Sequence, residues 1–283
     1  MKVIQQNVEL LEQKDGKSGL HKHIETAART CYQSLDKITD ESADIMVNSL
    51  IKREHTAMLE HGTVYLFIPE KKYDAQLSLY SYAVKIMEDY GVVKFEEDGV
   101  YITTNYRVII ENKLNHVMKY MCTPTDKHEK RYTLRLTTNL QVATECLRHR
   151  KMSFAMESSR YCSYDKAKFG DELTFILPSW FDANTPQSEV IEWSNGCQDA
   201  ENHYMRLRNK GWTPEKCAQF LPKSAKTTLV MTGFERDWKH FPDLGYFEKT
   251  GKVHPQMKEL STLVYRLIGD KVIKNDEYDT DKI

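Results

Sequence analysis

The stretch RHRKMSFAMESSRY, residues 148–161, is the most unusual part of this sequence and the part on which the interpretation of the fold depends. It places four basic residues, a histidine and three serines within fourteen positions of a nearly neutral protein. Arginine presents a planar fork of donors to phosphate, and serine hydroxyls can satisfy further acceptors. The stretch therefore predicts a site for a multiply charged anion. The alternative is a solvated basic helix end, which has a similar composition.

Composition limits the classes of protein to which the chain can belong. Its 283 residues contain 40 Lys and Arg against 41 Asp and Glu, a net charge of -1. No global positive field exists to hold it on a nucleic acid, so we expect no nucleic-acid partner. No apolar run is long enough to cross a bilayer and no signal-peptide pattern opens the chain, so we expect no membrane partner. Six cysteines without zinc-ligand spacing indicate reduced thiols, a cytoplasmic protein and no metal site.

Hydrophobic periodicity predicts an α+β fold, with strands mostly in the first half and helices in the second. Strands are predicted at residues 3–11, 63–68, 92–95, 100–104 and 131–138, the third and fourth forming a hairpin. Helices are predicted at residues 43–51, 140–147, 188–209, 214–220, 226–232 and 254–267. Neither a repeat nor a linker is visible, so we expect a single domain over residues 1–283 with a polar C-terminal tail.

Several motifs together resemble one known family. Arg148-His149-Arg150 is followed, after seven residues, by Ser158. Supporting motifs are Ala27-Ala28-Arg29-Thr30-Cys31, His55-Thr56-Ala57-Met58-Leu59-Glu60-His61, Pro214-Glu215 with Leu221-Pro222, and Trp238-x-His240-Phe241 with His254-Pro255. This set is similar to that of the flavin-dependent thymidylate synthases. The segment around residues 71–126 carries none of these motifs and is interpreted as an insertion.

The resemblance implies a twisted, mainly antiparallel sheet flanked by helices. It also implies a homotetramer that binds FAD and a pyrimidine deoxynucleotide monophosphate at subunit interfaces. In this family FAD reduced by NADPH, together with 5,10-methylenetetrahydrofolate, methylates uracil C5 of deoxyuridylate (dUMP) to give thymidylate (dTMP). The resemblance therefore predicts an enzyme, a flavoprotein methyltransferase of nucleotide biosynthesis.

The resemblance also implies roles for individual residues. Arg148 and Ser158 are the expected catalytic residues. Cofactor binding is expected of His55, Glu60, Arg148, His149, Arg150, Arg236 and His240, with positive charge from His149 and Arg150 stabilising the reduced flavin. Substrate binding is expected of Glu145, Arg148, Glu157, Ser158, Ser159 and Arg160.

The chain departs from the family pattern on the nucleotide side. Ala155-Met156 replaces a usual Asn-Glu, and Ala218 and Gly245 stand where the family has arginines. The second arginine promotes ionisation of uracil N3, which glycine cannot do. Two alternatives therefore stay open. One is a related flavin and folate enzyme that adds a methyl or hydroxymethyl group to C5 of another pyrimidine nucleotide, such as deoxycytidylate (dCMP). The other is a non-catalytic nucleotide-binding homologue.

Overall fold

The computed structural model describes residues 1–71, 77–165 and 170–272. Its strands are β1 (Lys2–Ile4), β2 (Asn7–Leu11), β3 (Thr63–Pro69), β4 (Val92–Glu96), β5 (Gly99–Asn105), β6 (Arg131–Asn139), β7 (Ser153–Met156), β8 (Thr174–Ile176) and β9 (Lys226–Phe234). Its α-helices are α1 (Gly16–Cys31), α2 (Ser42–Lys52), α3 (Leu77–Tyr90), α4 (Tyr106–Glu111), α5 (Leu140–Cys146), α6 (Gln187–Asn209), α7 (Pro214–Cys217), α8 (Glu235–Gly245) and α9 (Pro255–Val272). Short 3₁₀-helices lie at Leu35–Lys37, Thr56–His61, Asn115–Tyr120 and Ala218–Phe220.

An antiparallel sheet of order β2-β6-β9-β7 forms the centre of the molecule. The predicted alternation along β6 is confirmed, because Leu134 and Leu136 point to one buried face opposite Met231 and Leu229 of β9. Helices α8 and α9 cover this face with a core that includes Trp238. Helix α1 covers the other face. The α+β class with a mainly antiparallel sheet is confirmed.

The helix predicted at residues 226–232 is wrong, because this segment is the central strand β9. It pairs with β6 on one side and with β7 on the other. Residues 227–233 are all buried, so the strand has no exposed face, and its polar residues Thr227, Thr228 and Thr232 do not alternate regularly with apolar ones as in a half-buried strand. The β-branched residues Thr227, Thr228 and Val230 favour the extended form.

The single strand predicted at residues 3–11 is two strands that belong to different sheets. β1 runs parallel to β8, and β2 runs antiparallel to β6. The break falls at Gln6, whose buried side chain accepts a hydrogen bond from the Thr138 hydroxyl (2.5 Å) and donates one to the Gln256 carbonyl oxygen (2.8 Å). These tertiary bonds hold the chain where it changes sheets.

The predicted hairpin at residues 92–104 is confirmed as β4 and β5, with Phe95 opposite Val100. Strand β3, also predicted, pairs with β5 and completes a sheet of order β3-β5-β4. Helices α1 and α2 pack on its apolar residues. The segment around residues 71–126 thus supplies most of this second sheet.

Most predicted helices are confirmed, namely those at residues 43–51, 140–147, 188–209 and 254–267, as α2, α5, α6 and α9. The helix predicted at 214–220 is divided between α7 and the 3₁₀-helix that follows. Helix α1 was not predicted, and the polar tail at 275–283 lies outside the described residues. Within the described part of the chain, no helix combines the length and apolar character needed to cross a bilayer.

Candidate active site

The basic stretch folds as a tight turn, the strand β7 and a second turn. Helix α5 begins where it does because the Asn139 side chain accepts a hydrogen bond from the Val142 N–H (2.8 Å). After α5 ends, the Arg148 N–H donates to the Glu145 carbonyl oxygen (3.1 Å) and the Met152 N–H to that of His149 (3.0 Å). These bonds place residues 148–151 in one turn, here called the Arg148 turn, at one end of β7.

A cleft of about 1070 Å³ separates the Arg148 turn from α8 and the start of α9. Its lining includes the basic residues Arg148, Arg150, Lys151 and Arg236 and the acidic residues Glu145 and Asp237. The local charge is therefore positive although the whole chain is almost neutral. A cleft of this volume is at the upper end of what small-molecule and cofactor sites require, about 300–1,000 Å³.

The opposite wall of the cleft combines the polar residues Arg236, Asp237 and His240 of α8 with an apolar patch. Leu244, Val253 and Met257 form this patch, together with the backbone at Gly245. Basic residues on both sides of an apolar patch suit a ligand that combines flat rings with phosphates, because the rings can pack on the patch while the phosphates contact arginine. The donor set and the size of the cleft therefore fit a flavin nucleotide.

The surroundings of His149 do not suit a positively charged ring. Its ring packs on Phe241 (4.8 Å between centroids) and on His240 (5.8 Å). Burial, with a smaller contribution from His240, lowers the pKa of His149 to about 4. His149 is therefore neutral at pH 7, and the expectation that it adds positive charge is not supported. Arg148, Arg150 and Lys151 carry the positive charge of the turn.

The predicted substrate-binding residues Glu157, Ser158, Ser159 and Arg160 lie at the other end of β7, outside the lining of the cleft. The four residues of β7 span roughly 13 Å at 3.3 Å per residue. Within one chain, the structure therefore does not bring these residues together with the Arg148 turn.

Glu157 is buried and occupied by protein partners. It accepts hydrogen bonds from the Tyr164 hydroxyl (2.8 Å) and the Lys226 ammonium group (2.6 Å). The pKa of Tyr164 is raised, chiefly by burial and then by the charge of Glu157. The contacts indicate a structural role for Glu157, which stabilises the start of the second turn.

The second turn, residues 158–161, is here called the Ser158 turn. Residues of three of the sequence motifs contact one another here. The Ser158 N–H donates to the Cys31 carbonyl oxygen (2.9 Å), and the exposed Arg160 pairs with Glu215 (3.1 Å). The exposed Tyr161 ring lies beneath the Arg160 guanidinium group (5.4 Å). The exposed Arg160 and Tyr161 form a small polar surface here with the half-buried Ser158 and Ser159.

His55 and Glu60 lie in neither group. His55 precedes the 3₁₀-helix Thr56–His61, and Glu60 on that helix pairs with Arg107 of α4 (2.5 Å). The neighbouring His61 is buried against Thr232 of β9 (2.8 Å). No sequence motif includes Arg107, because its contact with Glu60 depends on the packing of α4 on this helix.

Arg236 and His240, two of the residues expected to bind the cofactor, are brought to the Arg148 turn by tertiary structure. Both lie on α8 and both line the cleft. Arg236 also contacts Glu129 (3.6 Å) and lies over the Phe234 ring (5.0 Å). Six of the predicted residues thus share one cleft: Glu145, Arg148, His149, Arg150, Arg236 and His240.

The packing of α8 against α9 explains why position 245 is a glycine. A Cβ atom built on Gly245 would lie 2.5 Å from both the Cβ and the Oγ of Ser261 on α9. The direction in which a side chain would grow therefore points into the helix α9 rather than into the cleft. Ala218 lies three residues after Glu215, the partner of Arg160, so this departure falls beside the Ser158 turn.

The fold and the cleft define an α+β protein with a local basic site of the size that a nucleotide needs. Residues 89–268 match the family model described as thymidylate synthase complementing protein. The chain therefore belongs to this family, the flavin-dependent thymidylate synthases.

Individual relatives match over part of their length. A probable flavin-dependent thymidylate synthase of Paramecium bursaria Chlorella virus 1 is 31% identical over 132 residues, 43% of this chain and 60% of that protein. The flavin-dependent thymidylate synthase of Synechocystis sp. is 28% identical over 131 residues, 44% of this chain and 61% of that protein. The matched region thus spans about three fifths of these relatives.

Among solved structures, the chain is similar to the UMP/dUMP methylase PolB from Streptomyces cacaoi bound with 5-Br dUMP. The TM-score is 0.44 at 16% identity, covering 95% of this chain and 91% of that one. The same methylase bound with 5-Br UMP gives a TM-score of 0.46 at 15% identity, covering 95% and 90%.

Proposed function

We propose that this chain is a flavin-dependent thymidylate synthase, which methylates dUMP to dTMP with 5,10-methylenetetrahydrofolate as carbon donor and NADPH as reductant. The observation that carries the proposal is the cleft in which Arg148, His149 and Arg150 face Arg236 and His240. Bound FAD would carry the two electrons by which the transferred carbon becomes a methyl group.

In this proposal the charged and the apolar residues of the cleft both contact the cofactor. Arg150 and Arg236 supply charge-assisted hydrogen bonds to its phosphates or to the polar edge of its ring. Val253 and Met257 exclude water from the ring. Neutral His149 stacks and offers hydrogen bonds without adding charge.

The substrate phosphate is assigned to the Ser158 turn, where Ser158, Ser159 and Arg160 offer hydroxyl and guanidinium donors. These groups lie at the far end of β7 from the Arg148 turn. We therefore propose that a complete site forms between subunits of a homotetramer, the Ser158 turn of one subunit facing the cleft of another. His55, Glu60 and Arg148 would complete the contacts to cofactor and nucleotide.

The proposal is tested by the mass of the product. We expect purified protein with FAD, NADPH and 5,10-methylenetetrahydrofolate to convert dUMP into a nucleotide heavier by one CH₂ group. Mass spectrometry of the recovered nucleotide measures this result. Unchanged dUMP from a preparation that has bound flavin would contradict the proposed substrate.

A second candidate is the same chemistry on dCMP, and the observation that favours it is Gly245. Cytosine has no N3 proton, so its methylation does not require a cation to promote ionisation at that atom. The packing of Gly245 on Ser261 leaves no room for such a side chain. The same incubation with dCMP separates the two, because a heavier cytosine nucleotide is expected only under the second candidate. Flavin-free protein that turns over neither nucleotide would indicate a non-catalytic nucleotide-binding homologue.

Arg150 is expected to dominate cofactor affinity. Replacing Arg150 by Gln removes a charged donor from the cleft wall, and we expect the Kd for FAD to rise about 10- to 100-fold, since such hydrogen bonds contribute about 1.5–3 kcal/mol. Fluorescence titration of FAD measures the Kd. Arg266→Gln on the exposed surface of α9, outside the cleft lining, is the matched control. If Arg150→Gln and Arg266→Gln bind FAD with equal Kd, the assignment of FAD to this cleft is contradicted.

A further inference from the structure

A second cavity, separate from the proposed active site, lies where β2, the start of α1, β3 and the start of β6 meet. Its volume is about 270 Å³. Its apolar wall consists of Leu10, Leu11, Met121, Pro124 and the ring of Tyr132. Its charged residues are Glu12, Asp15, Lys130, Arg131 and Lys271. None of these residues has a part in the function proposed above.

Arg131 provides the charge in the inner part of this cavity. Among the described residues no carboxylate is in ion-pair contact with it, although the charges of Glu60 and Asp237 act on it without contact. Its Nη1 donates to the Thr63 hydroxyl (3.3 Å) and its Nη2 to the Glu60 carbonyl oxygen (3.1 Å). Both acceptors are neutral, and the guanidinium face rests on the Phe234 ring (5.5 Å). Burial lowers the pKa of Arg131 to about 10, which still leaves it charged at pH 7. A desolvated cation of this kind is normally paired with an anion.

The polar groups that remain around Arg131 are donors. A guanidinium group has five N–H bonds, and two of them are used in the contacts with Thr63 and Glu60. The Tyr65 hydroxyl accepts from the Arg131 backbone N–H (3.2 Å), and its own proton has no acceptor among the described residues. The wall therefore offers N–H and O–H groups that a ligand with acceptor oxygens would satisfy.

The net charge of the residues that line the cavity favours a ligand with one negative charge. Three cations, Lys130, Arg131 and Lys271, face two carboxylates, Glu12 and Asp15, and His23 is neutral because burial lowers its pKa to about 4. The net charge of the lining is thus +1. Glu12 and Asp15 are exposed at the rim, whereas Arg131 lies further in. A monoanion would neutralise the lining, but a phosphate dianion would leave it negative.

We propose that this cavity binds a small organic carboxylate. Its carboxylate group meets Arg131 and the Tyr65 hydroxyl, and its apolar body packs on Leu10, Leu11 and Met121. The two oxygens of a carboxylate match adjacent guanidinium N–H groups, and the apolar wall accounts for a ring or short chain.

The test uses benzoate as the probe and isothermal titration calorimetry on the full chain at constant ionic strength. We expect saturable binding of benzoate with a Kd of about 1 mM or lower. Benzyl alcohol, of the same size but uncharged, is expected to bind at least about tenfold more weakly. Failure of benzoate to bind, or equal binding of benzyl alcohol, would overturn the proposal. Inorganic phosphate that binds more tightly than benzoate would overturn the monoanion assignment.

Two variants test whether the binding is in this cavity. Lys130→Glu changes the lining from net +1 to net -1 at a half-exposed position whose nearest partner, Asp126, is 3.9 Å away and fully exposed. We expect it to weaken benzoate binding at least about tenfold. Tyr65→Phe removes the hydroxyl donor, with an expected loss of about threefold or more. Lys37→Glu, an exposed change of the same charge far from the cavity lining, is the matched control. Equal effects of Lys130→Glu and Lys37→Glu would overturn the assignment to this cavity, whether or not the chain methylates a nucleotide.

Discussion

An arginine introduced at position 245 is expected to destabilise the protein by about 4 kcal/mol rather than add a cation to the cleft. Gly245 is buried near the end of α8, and its Cβ would lie 2.5 Å from the Cβ of Ser261, an atom that side-chain rotation cannot move. The longer side chain must therefore push α8 away from α9 or bury its charge between the two helices. Urea unfolding at fixed protein concentration measures the loss.

The smaller replacement isolates the steric part of this effect. Gly245→Ala is expected to cost about 1–3 kcal/mol, although alanine ordinarily favours a helix over glycine. Gly196→Ala on α6 is the matched control, since nothing lies within 4 Å of its Cβ position. That variant is expected to gain about 0.5–1 kcal/mol.

A double-mutant cycle tests whether Ser261 is the cause. Ser261→Gly removes the two atoms that the new methyl group of Gly245→Ala would meet, so we expect the two substitutions to be coupled by about 1–3 kcal/mol in the stabilising direction. Gly245→Ala that behaves like Gly196→Ala would contradict the close packing. That result would also mean that a side chain at position 245 can point into the cleft.

The packing at Gly245 shows what kind of information the sequence lacks. The comparison of motifs locates the missing arginine, but its cause is a contact with a helix that begins ten residues later at Pro255. The same holds for His149, which a motif places beside a cofactor. Its neutral state comes from burial and from the nearby ring of His240, 91 positions away.

Strands with a local sequence signal, such as the alternation along β6 or the hairpin turn between β4 and β5, were predictable, whereas β7 and β9 were not. Strand β6 alternates apolar and polar residues because one face contacts the core, and it was found. Strand β9 has no exposed face and no regular alternation, and it was interpreted as a helix. Strand β7 lies within the basic stretch and exists because its residues pair with β9. Composition alone indicates an anion site or a solvated basic helix end there, not a strand.

Acidification is expected to lower the free energy of unfolding steeply between about pH 6.5 and pH 4. Two histidines are buried in a chain of hydrogen bonds that crosses the central sheet. His23 contacts the Thr133 hydroxyl (2.9 Å), Thr133 contacts Thr232 (2.8 Å), and Thr232 contacts His61 (2.8 Å). Burial, with a smaller contribution from Arg131, lowers the pKa of His23 to about 4, and burial, His23 and Arg131 lower that of His61 to about 3.

Stability falls with acidification because the histidines bind protons at a higher pH in the unfolded chain than in the folded chain. Above about pH 6.5 both histidines are neutral in the folded and the unfolded chain, so they contribute no pH dependence. Below that pH the unfolded chain takes up protons and the folded chain does not, until about pH 4 for His23 and about pH 3 for His61. Each histidine then lowers the free energy of unfolding by up to about 1.4 kcal/mol per pH unit. At pH 4 the two histidines together have lowered the free energy of unfolding by about 6 kcal/mol, which is comparable to the total stability of many domains.

Replacing one histidine separates this effect from the titration of carboxylates. In His61→Gln the loss of stability between pH 6.5 and pH 4 should be smaller than in the parent protein by about 3 kcal/mol. Comparing the change with pH cancels any constant cost of the substitution itself. Urea unfolding at each pH measures it, and His203→Gln on the exposed surface of α6 is the control. If His61→Gln and the parent lose the same stability over this range, His61 must already accept a proton in the folded state. The buried chain from His23 to His61 would then hold a charge beside Arg131, contrary to the arrangement of its hydrogen bonds.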